Sequence, residues 1–176
     1  MTQNEKISAS KIKAFVTDVD GVLTDGSLIF DENGKEYKSF NAKDGQGIVL
    51  LNKTGFVTAI ITARKNGTVR HRFENLKMTK LYEGCQNKLE ALQDLMKEFN
   101  IKLEEIAYIG DDIPDICVLK KVGLPCCPND AVDEVKAVAK FVCNKNGGRG
   151  AVREVCDFIL KETNKYQDII DTYTNK

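Results

Sequence analysis

A short apolar run, Lys13-Ala14-Phe15-Val16-Thr17, stops abruptly at Asp18-Val19-Asp20-Gly21. An apolar run bounded by acidic residues and a glycine predicts a buried strand that empties into a loop. The event recurs: Phe56-Val57-Thr58-Ala59-Ile60-Ile61 ends at Thr62, and Ile106-Ala107-Tyr108-Ile109 ends at Gly110-Asp111-Asp112. Helical patterns lie between, at about Gly45 to Lys53, Asn66 to Leu76, and Lys88 to Phe99. In the last of these Leu89, Leu92, Leu95, Met96 and Phe99 recur at helical spacing. Strands at Lys80 to Glu83, Leu124 to Cys127 and Phe141 to Cys143 continue the alternation. So do helices near Asp115 to Val122, near Val132 to Val138, and from Gly147-Gly148-Arg149-Gly150 through Leu160, with a polar tail from about 161. Strands alternating with helices predict an α/β fold built on a mostly parallel sheet with helices on both faces. Early in the chain, Ser27 to Phe30 and Glu36 to Phe40 flank Asn33-Gly34, which predicts a β-hairpin at about 27–40.

The chain has 176 residues and shows no repeat or linker, so one domain over 1–176 is expected. Lys plus Arg and Asp plus Glu both total 26. That balance lacks the bulk basic excess of a nucleic-acid binder. Met1 to Lys6 is polar and unlike a signal peptide, and no run approaches the ~18 apolar residues of a membrane span. A cytoplasmic protein with no membrane or nucleic-acid partner is the expectation. The six cysteines form no Cys-x-x-Cys pair and read as reduced, apolar side chains.

In a parallel sheet, ligands bind beyond the C-terminal ends of strands. Asp18 and Asp20, Thr62, and Asp111 all stand at such ends. Close carboxylates repel, so neutral pH favours a cation between them, and an oxygen-rich set suits Mg2+. Thr62 offers a hydroxyl and Lys88 a point charge to a transferring phosphate. Taken singly, Asp-x-Asp-Gly is also an ordinary turn, and a lysine at a helix start is ordinarily solvated.

Asp18-Val19-Asp20-Gly21-Val22-Leu23-Thr24, Thr62, Lys88 and Gly110-Asp111-Asp112 resemble, in order, the four motifs of the haloacid dehalogenase superfamily. That resemblance implies a Rossmann-like domain in which Asp18 is a nucleophile that becomes an aspartyl phosphate, and Asp20 the acid and base. It implies that Thr62 and Lys88 hold phosphate. The Mg2+ ligands would be Asp18, the backbone carbonyl of Asp20, and Asp111, with Asp112 and Asp115 supporting them from behind. The stretches between Asp18, Thr62 and Lys88 are too short for a sizeable cap domain, and the hairpin stands in its place.

A closer likeness is carried by Asp18 to Gly26, Phe40-Asn41-Ala42-Lys43-Asp44-Gly45, Thr62-Ala63-Arg64-Lys65, Gly84 to Lys88 and Gly147 to Glu154. These segments resemble the 3-deoxy-D-manno-octulosonate 8-phosphate phosphatases, which serve lipopolysaccharide synthesis. The likeness implies a capless homotetramer with hairpins at its centre and a neighbour's C-terminal segment near the site. It also implies substrate contacts from Asp20, Asn41, Ala42, Lys43, Asp44, Gly45, Arg64, Arg72 and Lys88. Arginine suits a sugar-acid phosphate because its guanidinium pairs bidentately with carboxylate or phosphate. Two positions depart from the family pattern: Ala63 replaces a glycine, which could crowd the backbone, and His71 replaces an acidic residue.

The nearest rival is a phosphatase of nine-carbon, sialic-acid-type sugar-acid 9-phosphates, against which Arg64 argues. A signalling receiver domain would be shorter, near ~120 residues, and would carry aspartate where Thr62 stands. A catalytically silent tetramerising module is the remaining alternative.

Overall fold

The computed structural model describes residues 8–175; the opening Met1 to Lys6 lies outside them. Six strands form one parallel sheet: β1 (Ala14–Thr17), β4 (Val57–Thr62), β5 (Lys80–Glu83), β6 (Ile106–Ile109), β7 (Leu124–Cys127) and β8 (Phe141–Val142). Their order is β5-β4-β1-β6-β7-β8, so β1 is central. Val16 of β1 pairs with Ala59 on one side and Tyr108 on the other.

Successive strand residues point to opposite faces, and both faces are covered. Phe15, Ile60, Ala107 and Ile109 enter one core with α1 (Ala42–Lys53), α2 (Gly67–Asn75) and α6 (Ala151–Glu162). Ala14, Val16, Ala59, Ile61, Ile106 and Tyr108 enter the other, against α3 (Lys88–Phe99), α4 (Ile116–Leu119) and α5 (Asp133–Lys136). Fully buried Leu92 and Leu95 of α3 contribute about 2 kcal/mol each by leaving water. The chain leaves β1 for β4 on one side and later reaches β6 on the other. The strand order therefore reverses at the C-terminal end of β1, where a cleft opens.

The hairpin consists of β2 (Ile29–Phe30) and β3 (Glu36–Tyr37), antiparallel and separate from the main sheet. Asp31 closes its turn by accepting from Asn33 N and Lys35 N, both at 2.9 Å, and Gly34 takes the left-handed φ of +76°. Leu28, Ile29, Phe30 and Tyr37 are all exposed.

Three boundaries differ from the sequence expectation. α1 begins at Ala42, three residues earlier than expected, because Asn41 Oδ1 caps it by accepting from Lys43 N and Asp44 N. Gly45 and Gly47, poor helix formers, hid that start. The helix expected near Asp115 to Val122 is a 3-10 turn, Ile113–Asp115, followed by the four residues of α4. Beyond residue 161 the tail is helical: α6 runs to Glu162 and α7 covers Tyr166–Thr174, with Ile169 buried in the core. Among the described residues, no helix is long and apolar enough to cross a membrane.

Candidate active site

The loop after β1 is built to hold Asp18 at the mouth of the cleft. Asp18 N donates to Ile109 O at 3.1 Å, which aligns it with the end of β6. The chain then turns tightly, with Val19 O accepting from Leu23 N (2.9 Å) and Thr24 N (3.0 Å). Gly21 has φ +80°, and a Cβ there would run into the Asp111 carboxylate. Gly147 and Gly148 brace this loop from behind: Gly148 N donates to Val22 O at 2.8 Å, and a Cβ on Gly147 would strike the Gly21 carbonyl. The glycine run before α6 is thus a close backbone contact with the Asp18 loop.

Lys88 opens α3 behind its cap Asn87 and is buried, unlike the solvated lysine that its position alone suggests. Its Nζ lies 2.8 Å from Asp18 Oδ2 and 2.6 Å from Asp115 Oδ1. Asp115, also buried, accepts in addition from Tyr108 Oη (2.5 Å) and Asp111 N (3.1 Å). Carboxylate oxygens of Asp18, Asp111 and Asp115 all lie within 4.8 Å of one another.

Three carboxylates thus share one ammonium, and the electrostatics register the deficit. Burial, reinforced by Asp18 and Asp115, pushes the Asp111 carboxyl up to about 7. Burial also lifts Asp18 to about 6, against the pull of Lys88. Burial alone would lower the Lys88 ammonium, but Asp18 and Asp115 hold it above its usual range. A hard divalent cation coordinated by oxygens relieves such a cluster, so Asp18 and Asp111 fit Mg2+. Asp115 is already engaged by Lys88, Tyr108 and the Asp111 amide.

The cleft, about 310 Å³, is lined by Asp18, Asp20, Thr62, Arg64, Lys88, Asp111, Asp112 and Asp115. Thr62 is buried, and its Oγ1 accepts from Arg64 N at 3.3 Å. Asp112 is exposed and caps the following turn through Ile113 N, at 2.7 Å. Asp20 pairs with Lys38 of the hairpin, and Arg64 Nη2 with Glu36 Oε2 at 2.9 Å. Ala63 also lines the cleft without a positive φ, so the residue in place of glycine is accommodated. His71 is exposed. A larger cavity, about 540 Å³, lies at the opposite end of β1 near Ile12, Phe56 and Lys165, and its one carboxylate is Glu162.

Asn41, Ala42, Lys43, Asp44, Gly45 and Arg72 do not line this cleft. They gather around the start of α1, between α2 and α6. Asp44 is buried and accepts from Gly150 N (3.2 Å) and Arg153 N (2.8 Å), so a residue of α1 caps α6. Arg72 Nη2 donates to Asn41 O at 3.1 Å, its Nε is buried without a partner, and its guanidinium lies over the Phe40 ring. Ala42 and Lys43 are exposed. All six cysteines are free, and burial pushes the thiols of Cys126, Cys143 and Cys156 up, away from thiolate chemistry.

Sequence reasoning missed Glu36, Lys38 and Tyr108 as site residues. Their signal was faint: Glu36 in β3 and Lys38 just after it are two apart along an extended chain, so they share a face opposite exposed Tyr37.

An aspartate pair after the central strand, a strand-end threonine, a buried lysine and an acidic pair after β6 define the site of a haloacid dehalogenase-like hydrolase. The profile of that family matches residues 80–155. 3-Deoxy-D-manno-octulosonate 8-phosphate phosphatase KdsC of Escherichia coli (strain K12) is 43% identical over 160 residues, covering 91% of this chain and 85% of that protein. The Moraxella catarrhalis 3-deoxy-D-manno-octulosonate 8-phosphate phosphatase, solved with a magnesium ion, a phosphate ion and KDO, superimposes with a TM-score of 0.92. It is 39% identical, and the match covers 94% of this chain and 95% of that one. The Yersinia pestis enzyme of the same name gives a TM-score of 0.89 at 40% identity, over 90% of this chain and 86% of that one. The chain belongs to the 3-deoxy-D-manno-octulosonate 8-phosphate phosphatase family.

Proposed function

We propose that the protein hydrolyses 3-deoxy-D-manno-octulosonate 8-phosphate to the free sugar acid and phosphate, in the cytoplasm, as a step of lipopolysaccharide synthesis. The observation that carries this reading is the ion pair of Lys88 with Asp18 inside a three-carboxylate cluster, in a chain 43% identical to such a phosphatase.

Asp18 attacks phosphorus through a carboxylate oxygen, and the bond from phosphorus to the sugar oxygen breaks. Asp20 gives its proton to the departing oxygen. It then takes a proton from the water that attacks the aspartyl phosphate, releasing phosphate and restoring Asp18. Lys88 and the Thr62 hydroxyl hold the phosphoryl oxygens. Asp18, the Asp20 carbonyl and Asp111 would hold Mg2+, which would offset the charge of the transferring group. Asp115 fixes Lys88, and Asp112 shapes the turn beside it.

Arg64, at the cleft, suits the sugar-acid carboxylate. Asn41, Ala42, Lys43, Asp44, Gly45 and Arg72 contribute from the neighbouring α1–α2 surface. The chain acts as one domain, 1–176, within a homotetramer in which a neighbour's C-terminal segment approaches the site. The exposed apolar residues of the hairpin support that assembly, since monomers rarely expose such patches without use.

Phosphate release should be measured across sugar phosphates with Mg2+, with Asp18→Asn as control. The eight-carbon substrate is expected to give the highest kcat/KM, and Asp18→Asn to abolish turnover with the fold intact. A strong preference for a nine-carbon sugar acid would overturn the substrate; full activity in Asp18→Asn would overturn the nucleophile. No release from any sugar-acid phosphate would leave a silent module.

A further inference from the structure

Lys38 is a buried cation that the phosphatase chemistry does not use. Its side chain is only 1% exposed, and its ammonium is ion-paired with Asp20 Oδ1. On its other side it lies 3.0 Å from Glu36 Oε1. Glu36 continues through Oε2 to Arg64 Nη2 at 2.9 Å and Asn66 Nδ2 at 3.1 Å. Two anions and two cations thus alternate, Asp20-Lys38-Glu36-Arg64, from the reacting centre to the cleft rim.

Asp20 sits in a loop, and among the described residues no other side chain pairs with its carboxylate. Lys38, by contrast, is tied to a second element because it directly follows β3. An exposed ion pair would contribute little, but a lysine enclosed between two carboxylates has a defined geometry and is costly to break. Side chains that act in proton transfer need such fixation, because small misplacements of a reacting group are expensive in rate.

We propose that Lys38 is a positioning residue for Asp20: the hairpin delivers it to hold the carboxylate at the place where it serves the leaving oxygen and then water. This rests on the assignment of Asp20 as the acid and base. The hairpin therefore shapes the active site of its own subunit, beyond any role in assembly. Glu36, the other end of the clasp, ties Arg64 to the same frame.

The test compares wild type, Lys38→Met, Lys38→Arg, Asp20→Asn and the Lys38→Met/Asp20→Asn double variant, each with Mg2+. Substrates are the sugar-acid phosphate and p-nitrophenyl phosphate, whose leaving group departs without a proton. Lys38→Met should lower kcat on the sugar phosphate about ten- to a hundredfold with KM changed less than about threefold. On p-nitrophenyl phosphate it should show a burst of nitrophenol, then slow turnover, because only the water step still needs Asp20. Lys38→Arg should recover most of the loss. The double variant should be no slower than Asp20→Asn alone, since residues acting as a unit are not additive. Full kcat in Lys38→Met, losses that multiply in the double variant, or a Lys38→Arg that keeps the burst but not kcat would each overturn the proposal. A wild-type chain that releases no phosphate sinks the phosphatase reading and this proposal together; an active wild type with an unaffected Lys38→Met sinks this one alone.

Discussion

Lys88 is an ammonium buried between Asp18 and Asp115, and its burial makes Asp115 a structural as well as a site residue. Asp115 takes bonds from Lys88, from Tyr108 and from two backbone amides. Deleting that carboxylate strands a buried tyrosine hydroxyl and half-unpairs a buried lysine. Asp115→Ala should therefore lower unfolding free energy by about 3 kcal/mol, and Tyr108→Phe, which removes one hydrogen bond, by about 1 kcal/mol. Urea melts of the three proteins decide the matter; equal losses would mean that the charge pair carries no special weight. The motif spacing pointed to Lys88, but nothing local indicated that it would be buried. Its two partners come from the end of β1 and from the turn after β6, far apart in sequence, and burial of a charge is a property of the assembled site. Asp44 shows the same limit in another form: as the cap of α6 it works across a gap in sequence that no local pattern bridges.

The hairpin turns its apolar side chains outward while its charged ones reach the cleft. β2 and β3 have two residues each, and Leu28, Ile29, Phe30 and Tyr37 face solvent. A two-stranded ribbon is marginal alone in water, so these side chains need covering. On the proposed homotetramer, Phe30→Glu, which places a charge on that face, should shift the protein to a smaller species in sedimentation while leaving the far-ultraviolet circular dichroism unchanged. An unaltered sedimentation coefficient would separate the hairpin from assembly. The sequence made this element easy to see, because Asn33-Gly34 is a turn signal with a local mechanism. α7 was harder: Tyr166, Ile169, Ile170 and Tyr173 form a stripe at helical spacing, but the surrounding polar residues dominated the reading. α1 was misjudged at its start for a different reason. Its two early glycines leave no room for side chains, since a Cβ on Gly47 would come within 3.0 Å of Cys156 Cβ; they bring helices together, and they weaken the helical signal.

At the scale of the whole molecule, the acidic cluster should set how stability answers pH and metal. Asp18 and Asp111 stand at about 6 and about 7, both above the ordinary 3.8, with burial the first cause of each. A carboxyl raised on folding stabilises the protein while protonated, and that contribution is lost as pH rises through the folded value. Metal-free protein should thus lose stability between about pH 4 and pH 7 from these two groups. Asp25, Asp31, Glu36 and Glu105 are shifted down, mainly by hydrogen bonds, and act with the opposite sign. Their contribution is complete above the usual carboxylate range and lost only towards lower pH. They leave the upper window to the cluster. Mg2+ binds the ionised carboxylates and must displace any protons there, so its stabilisation should grow over the same interval. Melting curves in chelator and in saturating Mg2+ should differ more at pH 8 than at pH 5, and Asp111→Asn should flatten both the chelator slope and the magnesium response. A magnesium shift of equal size at the two pH values would place the ion elsewhere. It would also remove the electrostatic reason for gathering three carboxylates around one lysine at the switch point of the sheet.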